Sequence, residues 1–177
     1  MNADTVPSES LSNYKKVLIL FGSPHKEGHT AALLKQYTEK LDTDADIHMV
    51  YAYDEKAKPC FGCGFCAHGL CACGDMYDVY DALEESDLLI VASPVYNLSF
   101  PAPLKNILDR FQVYWVQRFV NQKKPPIEKH RDSWVLLTCG SDDREGFAIM
   151  NRQLDRMFTV LNTTKTLTDE RAETDAS

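Results

Sequence analysis

The sequence has no long apolar run and no excess of positive charge, and each of these absences excludes a class of protein. No stretch approaches the ~20 apolar residues of a membrane-spanning helix, and the first residues, MNADTVPSESLSNYKK, lack the apolar segment of a secretion signal. Lys and Arg number 19 against 26 Asp and Glu, which gives a net charge of −7. Nucleic acids and anionic membranes attract clustered positive charge. We therefore expect a cytoplasmic protein that binds neither of them.

Short apolar runs alternate with amphipathic stretches along the chain. Strand-like runs lie at 16–21, 46–51, 87–92, 133–138 and 162–167. Helix-like stretches lie at 30–41, 76–85, 103–119 and 146–161, and Thr30 is the expected N-cap of the first. This alternation predicts an α/β fold, a parallel sheet with helices on both faces. Five strands fit a flavodoxin-like three-layer sandwich with the strand order 2-1-3-4-5.

We expect one folded domain between two tails. Residues 1–14 are predicted to form a flexible N-terminal tail, 15–168 the flavodoxin-like domain, and 169–177 a flexible C-terminal tail. Within the domain, 57–75 is an insertion rich in Cys, Gly and Pro, without helical or strand periodicity. Such a segment is long for a plain connector, which indicates a function of its own.

Three loops are predicted to meet at the ligand-binding edge of this sheet. In open α/β sheets, ligands lie beyond the carboxyl ends of the strands where the winding reverses, here between the first and third strands. The loops GSPHKEGHT, SPVYNLS and TCGSDD follow the first, third and fourth strands. All three are small, polar and marked by Gly or Pro, unlike ordinary connectors.

The first of these loops has the features of a phosphate-binding turn. Backbone N–H groups that precede a helix, together with the helix dipole, attract an anion. Ser23 and Thr30 can add hydroxyl donors, His25 or Lys26 can add charge, and Gly28 allows a close approach of the backbone. A polar turn without a ligand is the alternative.

Neither of the two common nucleotide fingerprints is present. The dinucleotide pattern G-x-G-x-x-G does not occur. For the triphosphatase loop, Gly22 and Gly28 lie one residue too far apart, and His29 stands where Lys is required. A mononucleotide phosphate therefore remains as the candidate ligand. The second loop, with Pro94, Tyr96 and Asn97, offers an aromatic ring and an amide to a flat heteroaromatic group, or it forms an ordinary turn.

These loops resemble two signatures of the NAD(P)H-dependent FMN reductase family. GSPHKEGHT is similar to G-S-P-R-x-x-G-N-T, with His25 in place of Arg and His29 in place of Asn. SPVYNLSFPAPLKNILDR is similar to the second signature, which opens with S-P-x-Y and continues through Lys105, Asp109 and Arg110. The resemblance covers about Val17 to Phe158.

The resemblance implies FMN as the cofactor and NADH or NADPH as the electron donor. It implies that the phosphate is held through Ser23, His25 and Thr30. The flavin ring would be lined by Pro94, Val95, Tyr96 and Asn97 and closed on its far side by Thr138, Cys139 and Gly140. It also implies a small electron acceptor, which would be a quinone, nitro compound, flavin or metal complex. We expect no catalytic acid or base, since flavin chemistry belongs to the cofactor.

Relatives form dimers or tetramers, and the apolar helix 107–119 offers a surface for a homodimer or homotetramer.

Five of the six cysteines lie between positions 60 and 73. In a chain without an export signal, such crowding indicates metal or redox use rather than disulfides. The pattern C-x2-C-x2-C-x4-C can wrap one cubane, since glycines at 62, 64 and 69 allow tight winding. The insertion also resembles a branch of the family that includes the iron–sulfur flavoproteins. That resemblance implies a [4Fe–4S] cluster on Cys60, Cys63, Cys66 and Cys71.

Two other interpretations of the cysteines remain open at this point. They would form a cluster-free loop, or they would bind zinc, although structural zinc sites more often split their thiolates into two separated pairs. Three functions correspond to the three interpretations. The first is an NAD(P)H oxidoreductase. The second is an iron–sulfur flavoprotein that relays electrons to a redox partner protein. The third is a non-enzymatic, zinc-bearing interaction module.

Overall fold

The computed structural model describes residues 14–141 and 144–172. Most of the predicted N-terminal tail, the end of the predicted C-terminal tail and the loop residues 142–143 lie outside these described residues. None of the helices in the described part of the chain combines the length and the apolar composition needed to cross a membrane.

The described residues form five strands and five α-helices in alternation. The strands are β1 (Lys16–Phe21), β2 (Asp46–Tyr51), β3 (Leu88–Pro94), β4 (Arg131–Cys139) and β5 (Thr163–Ala172). The helices are α1 (His29–Thr38), α2 (Tyr77–Glu85), α3 (Ala102–Arg110), α4 (Gln112–Phe119) and α5 (Arg144–Val160). A 3-10 turn, Phe65–His68, lies within the cysteine-rich segment.

The strands form one parallel sheet in the order β2-β1-β3-β4-β5, which confirms the predicted fold. Phe21 pairs with Ala92, and Pro94 pairs with Thr138, so β1, β3 and β4 end at the same edge. The loops that follow these strands therefore start side by side, at the point where the strand order reverses.

The two faces of the sheet carry separate apolar cores. On one face, Leu33 and Leu34 of α1 pack with Ile19, Ile90 and Trp134. The core on the other face takes side chains from α2, α3, α4 and α5, which pack on alternate residues of the same strands. Because successive strand residues point to opposite faces, both sides of β1 and β3 are buried, which explains their unbroken apolar runs.

The first helix begins before the predicted N-cap, so that prediction is wrong. Gly28 is the N-cap, and its carbonyl accepts the first helical bond from Ala32 at 2.9 Å. Thr30 lies one residue inside α1, and its hydroxyl bonds to Thr138 instead of capping the helix.

The single helix predicted over 103–119 is two helices, because the chain breaks at Phe111. The carbonyl of Arg110 would accept the N–H of Tyr114 in a continuous helix, but it accepts the hydroxyl of Tyr80 at 3.0 Å. The N–H of Tyr114 bonds to Phe111 at 3.0 Å instead. Phe111 and Tyr114 are buried in the core, so only the outer residues of α4 remain as a surface.

The last strand is longer than predicted. It continues to Ala172, whereas a tail had been expected from 169. Asp169 accepts a hydrogen bond from the Tyr37 hydroxyl of α1 at 2.7 Å, which fixes this part of the strand. At the other end, Tyr14 also belongs to the fold, since its hydroxyl donates to Asp132 at 2.7 Å and its ring meets Trp134 edge-on.

Candidate functional site

The three polar loops line one cleft at the carboxyl edge of the sheet. Every residue predicted for the flavin site lines this cleft except Lys26 and Asn97. The N–H of Val95 donates to the carbonyl of Thr138 at 2.8 Å, which holds the second and third loops together. The structure thus brings most of the residues predicted for the flavin site into one cleft, although the first and third loops lie over 100 residues apart in the sequence.

A buried pair of hydroxyls forms the base of the cleft. The Oγ1 atoms of Thr30 and Thr138 lie 2.7 Å apart, and both side chains are buried. Thr30 is on α1 and Thr138 near the end of β4, so this hydrogen bond joins the first loop to the third. The bond leaves each hydroxyl oxygen with further capacity, because a hydroxyl combines one donor with two acceptor lone pairs.

The first loop folds around Ser23. Its Oγ accepts the N–H of His25 at 3.1 Å, and the N–H of Gly28 bonds to the His25 carbonyl at 3.3 Å. A Cβ atom at Gly28 would lie 3.1 Å from the Cβ of His25, so glycine suits this tight turn. The turn leads the chain directly into α1, and the amino end of that helix faces the cleft residues.

The electrostatics at the amino end of α1 favour an anion. A helix carries roughly half a positive charge at this end, and no acidic side chain lies in the first turn of α1, all of which is described. His25 and His29 line the same cleft. The arrangement can therefore bind a phosphate group through main-chain and hydroxyl donors.

The second loop is a tight turn that presents Tyr96 to the cleft. Tyr96 and Ser99 exchange two backbone hydrogen bonds of 2.8 and 3.0 Å. Asn97 and Leu98 lie between them with φ values of 50° and 63°, the signature of a type I′ turn. Asn tolerates this left-handed conformation, but Leu is strained by it, and such strain is concentrated at functional sites.

Lys26 is directed away from the cleft. Its ammonium group pairs with Asp54 and lies 4.4 Å from the centre of the Tyr51 ring. Both partners belong to the end of β2 or the residues just after it. In the structure, Lys26 therefore fastens the first loop to β2 rather than facing the other predicted phosphate-binding groups.

Tyr53 is a neighbour of the cleft that the sequence does not predict. Burial raises the pKa of its hydroxyl, and the nearby Tyr96 adds to the shift. Both tyrosines are exposed. A second tyrosine close to the first is consistent with a stacking surface for a flat ring, but no local motif around position 53 marks it.

The cleft fits the FMN that the resemblance implies. It combines a helix amino end, two buried hydroxyl-bearing side chains, an exposed aromatic ring and a glycine that leaves space. A Cβ atom at Gly140 would meet nothing within 4 Å, so this side of the cleft is open. A phosphate needs the first two features, and a flat heteroaromatic ring needs the last two.

The cysteines form a second, separate site. Cys60, Cys63, Cys66, Cys71 and Cys73 line one cavity together with Arg110 and residues of α4. Burial raises the pKa of Cys66, and the neighbouring thiols of Cys71, Cys60 and Cys63 raise it further. The four thiols predicted as ligands are thus brought together, and Cys73 joins them.

Arg110 is the centre of this second site. It is 2% exposed, and its guanidinium donates three hydrogen bonds. Nε donates to Cys71 Sγ at 3.1 Å, Nη1 to the Lys58 carbonyl at 2.8 Å, and Nη2 to Asp75 Oδ1 at 2.6 Å. The sequence placed Arg110 in the second family signature, but it gave no indication that this side chain reaches the cysteines.

These contacts close the cysteine segment into a loop. The N–H of Lys58 donates to Asp75 Oδ2 at 2.9 Å, so the two ends of 58–75 touch each other. This closure nearly matches the predicted insertion. The 3-10 turn inside the loop is held on the α4 side by Gln117, which donates to the Cys66 carbonyl at 3.2 Å, and by Asn121, which donates to the Ala67 carbonyl at 2.8 Å.

The guanidinium sets the charge states around it. The hydrogen bond from Arg110 lowers the pKa of Asp75 to about 2. Burial alone would raise the pKa of Cys71, but bonds from the Cys73 backbone and from Arg110 outweigh burial and lower it. Arg110 therefore favours the thiolate form of Cys71, which is the form that binds metals.

The donor chemistry of this cavity suits an iron–sulfur cluster. In the described ranges 14–141 and 144–172, no three or more His, Cys, Asp or Glu side chains form a group that could hold a metal ion as they stand. A [4Fe–4S] cluster makes a different demand, since each of its four irons takes one thiolate. The thiols around this cavity can supply those four thiolates, and Arg110 places a positive charge beside one of them. Gly62, Gly64 and Gly69 all have positive φ, as the tight winding requires.

Comparison with known proteins identifies the family of the chain. The sequence profile of the family described as NADPH-dependent FMN reductase matches residues 15–170. An iron-sulfur flavoprotein of Archaeoglobus fulgidus is 35% identical over 102 residues, which are 56% of this chain and 46% of the relative. An iron-sulfur flavoprotein of Methanocaldococcus jannaschii is 31% identical over 98 residues, 54% of this chain and 51% of the relative. The chain thus spans about half the length of the curated relatives it matches.

A solved structure supports the fold. The NAD(P)H:quinone oxidoreductase from Methanothermobacter marburgensis superposes with a TM-score of 0.64 at 17% identity, and the match covers 91% of this chain and 85% of that one. At this level of identity, the likeness shows a shared fold.

Proposed function

The chain belongs to the NADPH-dependent FMN reductase family, and from that premise we propose that it passes electrons from a reduced nicotinamide through bound FMN to a small acceptor. The observation that carries the proposal is the single cleft that joins the amino end of α1 to the loops after β3 and β4. Bound FMN would supply the chemistry by accepting a hydride from the nicotinamide and passing electrons on.

The protein's own contribution in this proposal is binding and placement. The first loop and the α1 amino end hold the phosphate, with Ser23 and Thr30 as hydroxyl donors. Tyr96 and the open side at Gly140 border the ring. The exposure of Tyr96 leaves room for the nicotinamide and then the acceptor to approach the same face. No acid or base on the protein is required.

The acceptor in this proposal is a quinone, nitro compound, flavin or metal complex. The quinone oxidoreductase named among the structural neighbours supports a quinone as the first acceptor to test.

We further propose that the protein acts in the cytoplasm. Trp115 and Phe119 on the exposed side of α4 support assembly as a homodimer or homotetramer, which light scattering on the purified protein would measure.

The test of the flavin proposal is FMN retention together with nicotinamide oxidation. Purified protein is incubated with excess FMN, dialysed, and assayed for NADH and NADPH oxidation with a quinone, a nitroaromatic compound and free FMN as acceptors. We expect one FMN per chain and turnover with at least one donor and acceptor. Riboflavin is the matched control, because it lacks the phosphate and should not be retained. Protein that retains no FMN contradicts the proposal.

A second function is favoured by the cysteine cavity. We propose that Cys60, Cys63, Cys66 and Cys71 hold a [4Fe–4S] cluster that exchanges electrons with a redox partner protein. The thiols around one cavity and the name of the relatives, iron-sulfur flavoproteins, support it. Anaerobically purified protein should contain about four irons and four sulfides per chain. Zinc in the same sample, or no metal after reconstitution with iron and sulfide, would contradict the cluster and leave the flavin proposal intact.

A further inference from the structure

Arg110 has the contacts of a residue that controls the cysteine cavity rather than one that only fills the core. We propose that Arg110 is a positioning residue that holds Cys71 as a cluster ligand and raises the reduction potential of the cluster bound there. This inference rests on the proposed cluster and deepens it. The contact that carries it is the hydrogen bond of 3.1 Å from Nε to Cys71 Sγ, made by a guanidinium that itself lines the cavity.

The geometry around Arg110 leaves its Nε no freedom to turn away. Asp75 and the Lys58 carbonyl take the two Nη groups at 2.6 and 2.8 Å, and the side chain is almost wholly buried. Because the guanidinium is planar and both of its Nη groups are held, its Nε–H can point in only one direction, and Cys71 Sγ lies in that direction. Cys71 is also the most buried of the cysteines in the cavity. The contact is therefore a feature of the fold and not a chance encounter at the surface.

A hydrogen bond and a positive charge at a thiolate ligand favour the reduced cluster. Reduction adds one electron from an external donor, so the cluster gains one negative charge while no bond of Arg110 forms or breaks. A donor to the ligand sulfur stabilises this added charge more than it stabilises the oxidised state. Charge-assisted hydrogen bonds contribute enough that their loss should change the reduced-to-oxidised ratio by on the order of tenfold.

Asp75 has the opposite effect on the same cavity. Its carboxylate accepts the Nη2 bond and partly neutralises the guanidinium. In Asp75→Asn, the amide oxygen can still accept the Nη2 bond and hold Arg110 on Cys71, while the loss of the negative charge makes the surroundings of the sulfur more positive. Arg110 and Asp75 therefore act on the potential with opposite signs. Loss of packing alone would not produce such a pair of effects.

The experiment measures the reduction potential of the cluster in four forms of the full chain. Wild type, Arg110→Lys, Asp75→Asn and Arg118→Gln are reconstituted anaerobically with iron and sulfide and titrated in a spectroelectrochemical cell. Lys keeps the charge but lacks the fork that reaches three acceptors. We expect Arg110→Lys to lower the reduced-to-oxidised ratio at fixed potential about tenfold, equivalent to about 59 mV for one electron. Asp75→Asn should raise the ratio, and Arg118→Gln, on α4 but outside the lining of the cysteine cavity, should not change it.

Iron, sulfide and FMN contents and a thermal melt are recorded for each form. The inference is overturned if Arg110→Lys and Asp75→Asn keep the wild-type potential at full iron content, or if both shift it in the same direction. If Arg110→Lys does not fold, Asp75→Asn decides alone, and an unchanged or lowered potential overturns the inference. Wild type that retains FMN but no iron or sulfide overturns the inference together with the cluster, while the flavin proposal stands.

Discussion

Two hydroxyl groups, on Thr30 and Thr138, connect the first and third loops beneath the cleft. Their hydrogen bond of 2.7 Å is buried, so neither oxygen has bulk water as an alternative partner. Valine has the shape of threonine without the hydroxyl. Thr30→Val should therefore leave Thr138 Oγ1 unsatisfied and lower the free energy of unfolding by about 1–3 kcal/mol. Urea unfolding of the FMN-free protein measures this loss.

A double-mutant cycle separates this bond from a general effect of the substitutions. Thr138→Val should cost about as much as Thr30→Val, and the double variant should cost less than the sum by roughly 1 kcal/mol. Thr38→Val, at the other end of α1, is the matched control because its hydroxyl donates within its own helix, to the Lys35 carbonyl at 3.3 Å. Additive losses from Thr30→Val and Thr138→Val would show that the two hydroxyls do not interact.

For single residues, the sequence predicted which side chains can donate hydrogen bonds better than it predicted where those side chains point. Ser23 and Thr30 were predicted because their hydroxyls can add donors where a strand leads into a helix, and both line the cleft. The direction of Lys26 could not be predicted, since its partners Asp54 and Tyr51 come from another strand. The contacts of Arg110 could not be predicted for the same reason, since its three acceptors lie 35 to 52 residues away in the sequence.

The junction of β1 with the first loop depends on the closeness of α3. A Cβ atom at Gly22 would lie 2.5 Å from Leu104 Cδ2 and 3.0 Å from Ser93 Oγ. Leu104 is fully buried and cannot move away freely. Gly22→Ala should therefore force α3 outward and destabilise the fold by about 1–3 kcal/mol. A thermal melt should show a loss of about 2–4 °C for each kcal/mol.

Gly140→Ala is the control for this element. It also follows a strand of the same sheet, but a Cβ atom there meets nothing within 4 Å. Its melting temperature in the FMN-free protein should stay close to that of wild type. Equal losses for the two variants would mean that the packing of Leu104 is not what excludes a side chain at position 22.

Elements were predictable where the local pattern determines them. The buried strands β1 and β3 have continuous apolar runs, and the parallel sheet follows from their alternation with helices. The break between α3 and α4 was not predictable, because it depends on the Tyr80 hydroxyl, which takes a carbonyl of a helix 30 residues away. The extra length of β5 likewise involves tertiary contacts, the pairing with β4 up to Ala172 and the bond between Tyr37 and Asp169.

For the whole molecule, one carboxylate at the amino edge of the sheet couples stability to pH. Asp87 accepts the N–H groups of Lys15 and Lys16 at 3.1 and 2.9 Å and pairs with Lys129 at 2.6 Å. Burial alone would raise its pKa, but the bonds from Lys129 and the Lys16 backbone outweigh burial and lower it. The ionised group therefore stabilises the folded state above the unfolded pKa of about 3.9. That stability is lost as the pH falls through the lower folded-state pKa.

Asp87→Asn should lower the free energy of unfolding by about 1–2 kcal/mol at pH 7. The difference from wild type should shrink below about pH 4, because the wild-type carboxyl then becomes neutral as well. Urea unfolding of both proteins at several pH values measures it. Asp81→Asn, on the exposed face of α2, should stay within about 0.5 kcal/mol of wild type throughout. If the difference in free energy of unfolding between Asp87→Asn and wild type does not become smaller in acid, the ionised Asp87 carboxylate does not have this stabilising role.

The loop from Lys58 to Asp75 has a consequence for how such proteins diversify. Its two ends meet at a single hydrogen bond of 2.9 Å over one buried guanidinium, while the flavin cleft is built from other loops. Changes between Lys58 and Asp75 need not move the cleft, since none of the residues that line the cleft belongs to this segment. Proteins that share this fold could thus differ in what the segment between Lys58 and Asp75 binds and still keep the same cleft at the edge of the sheet.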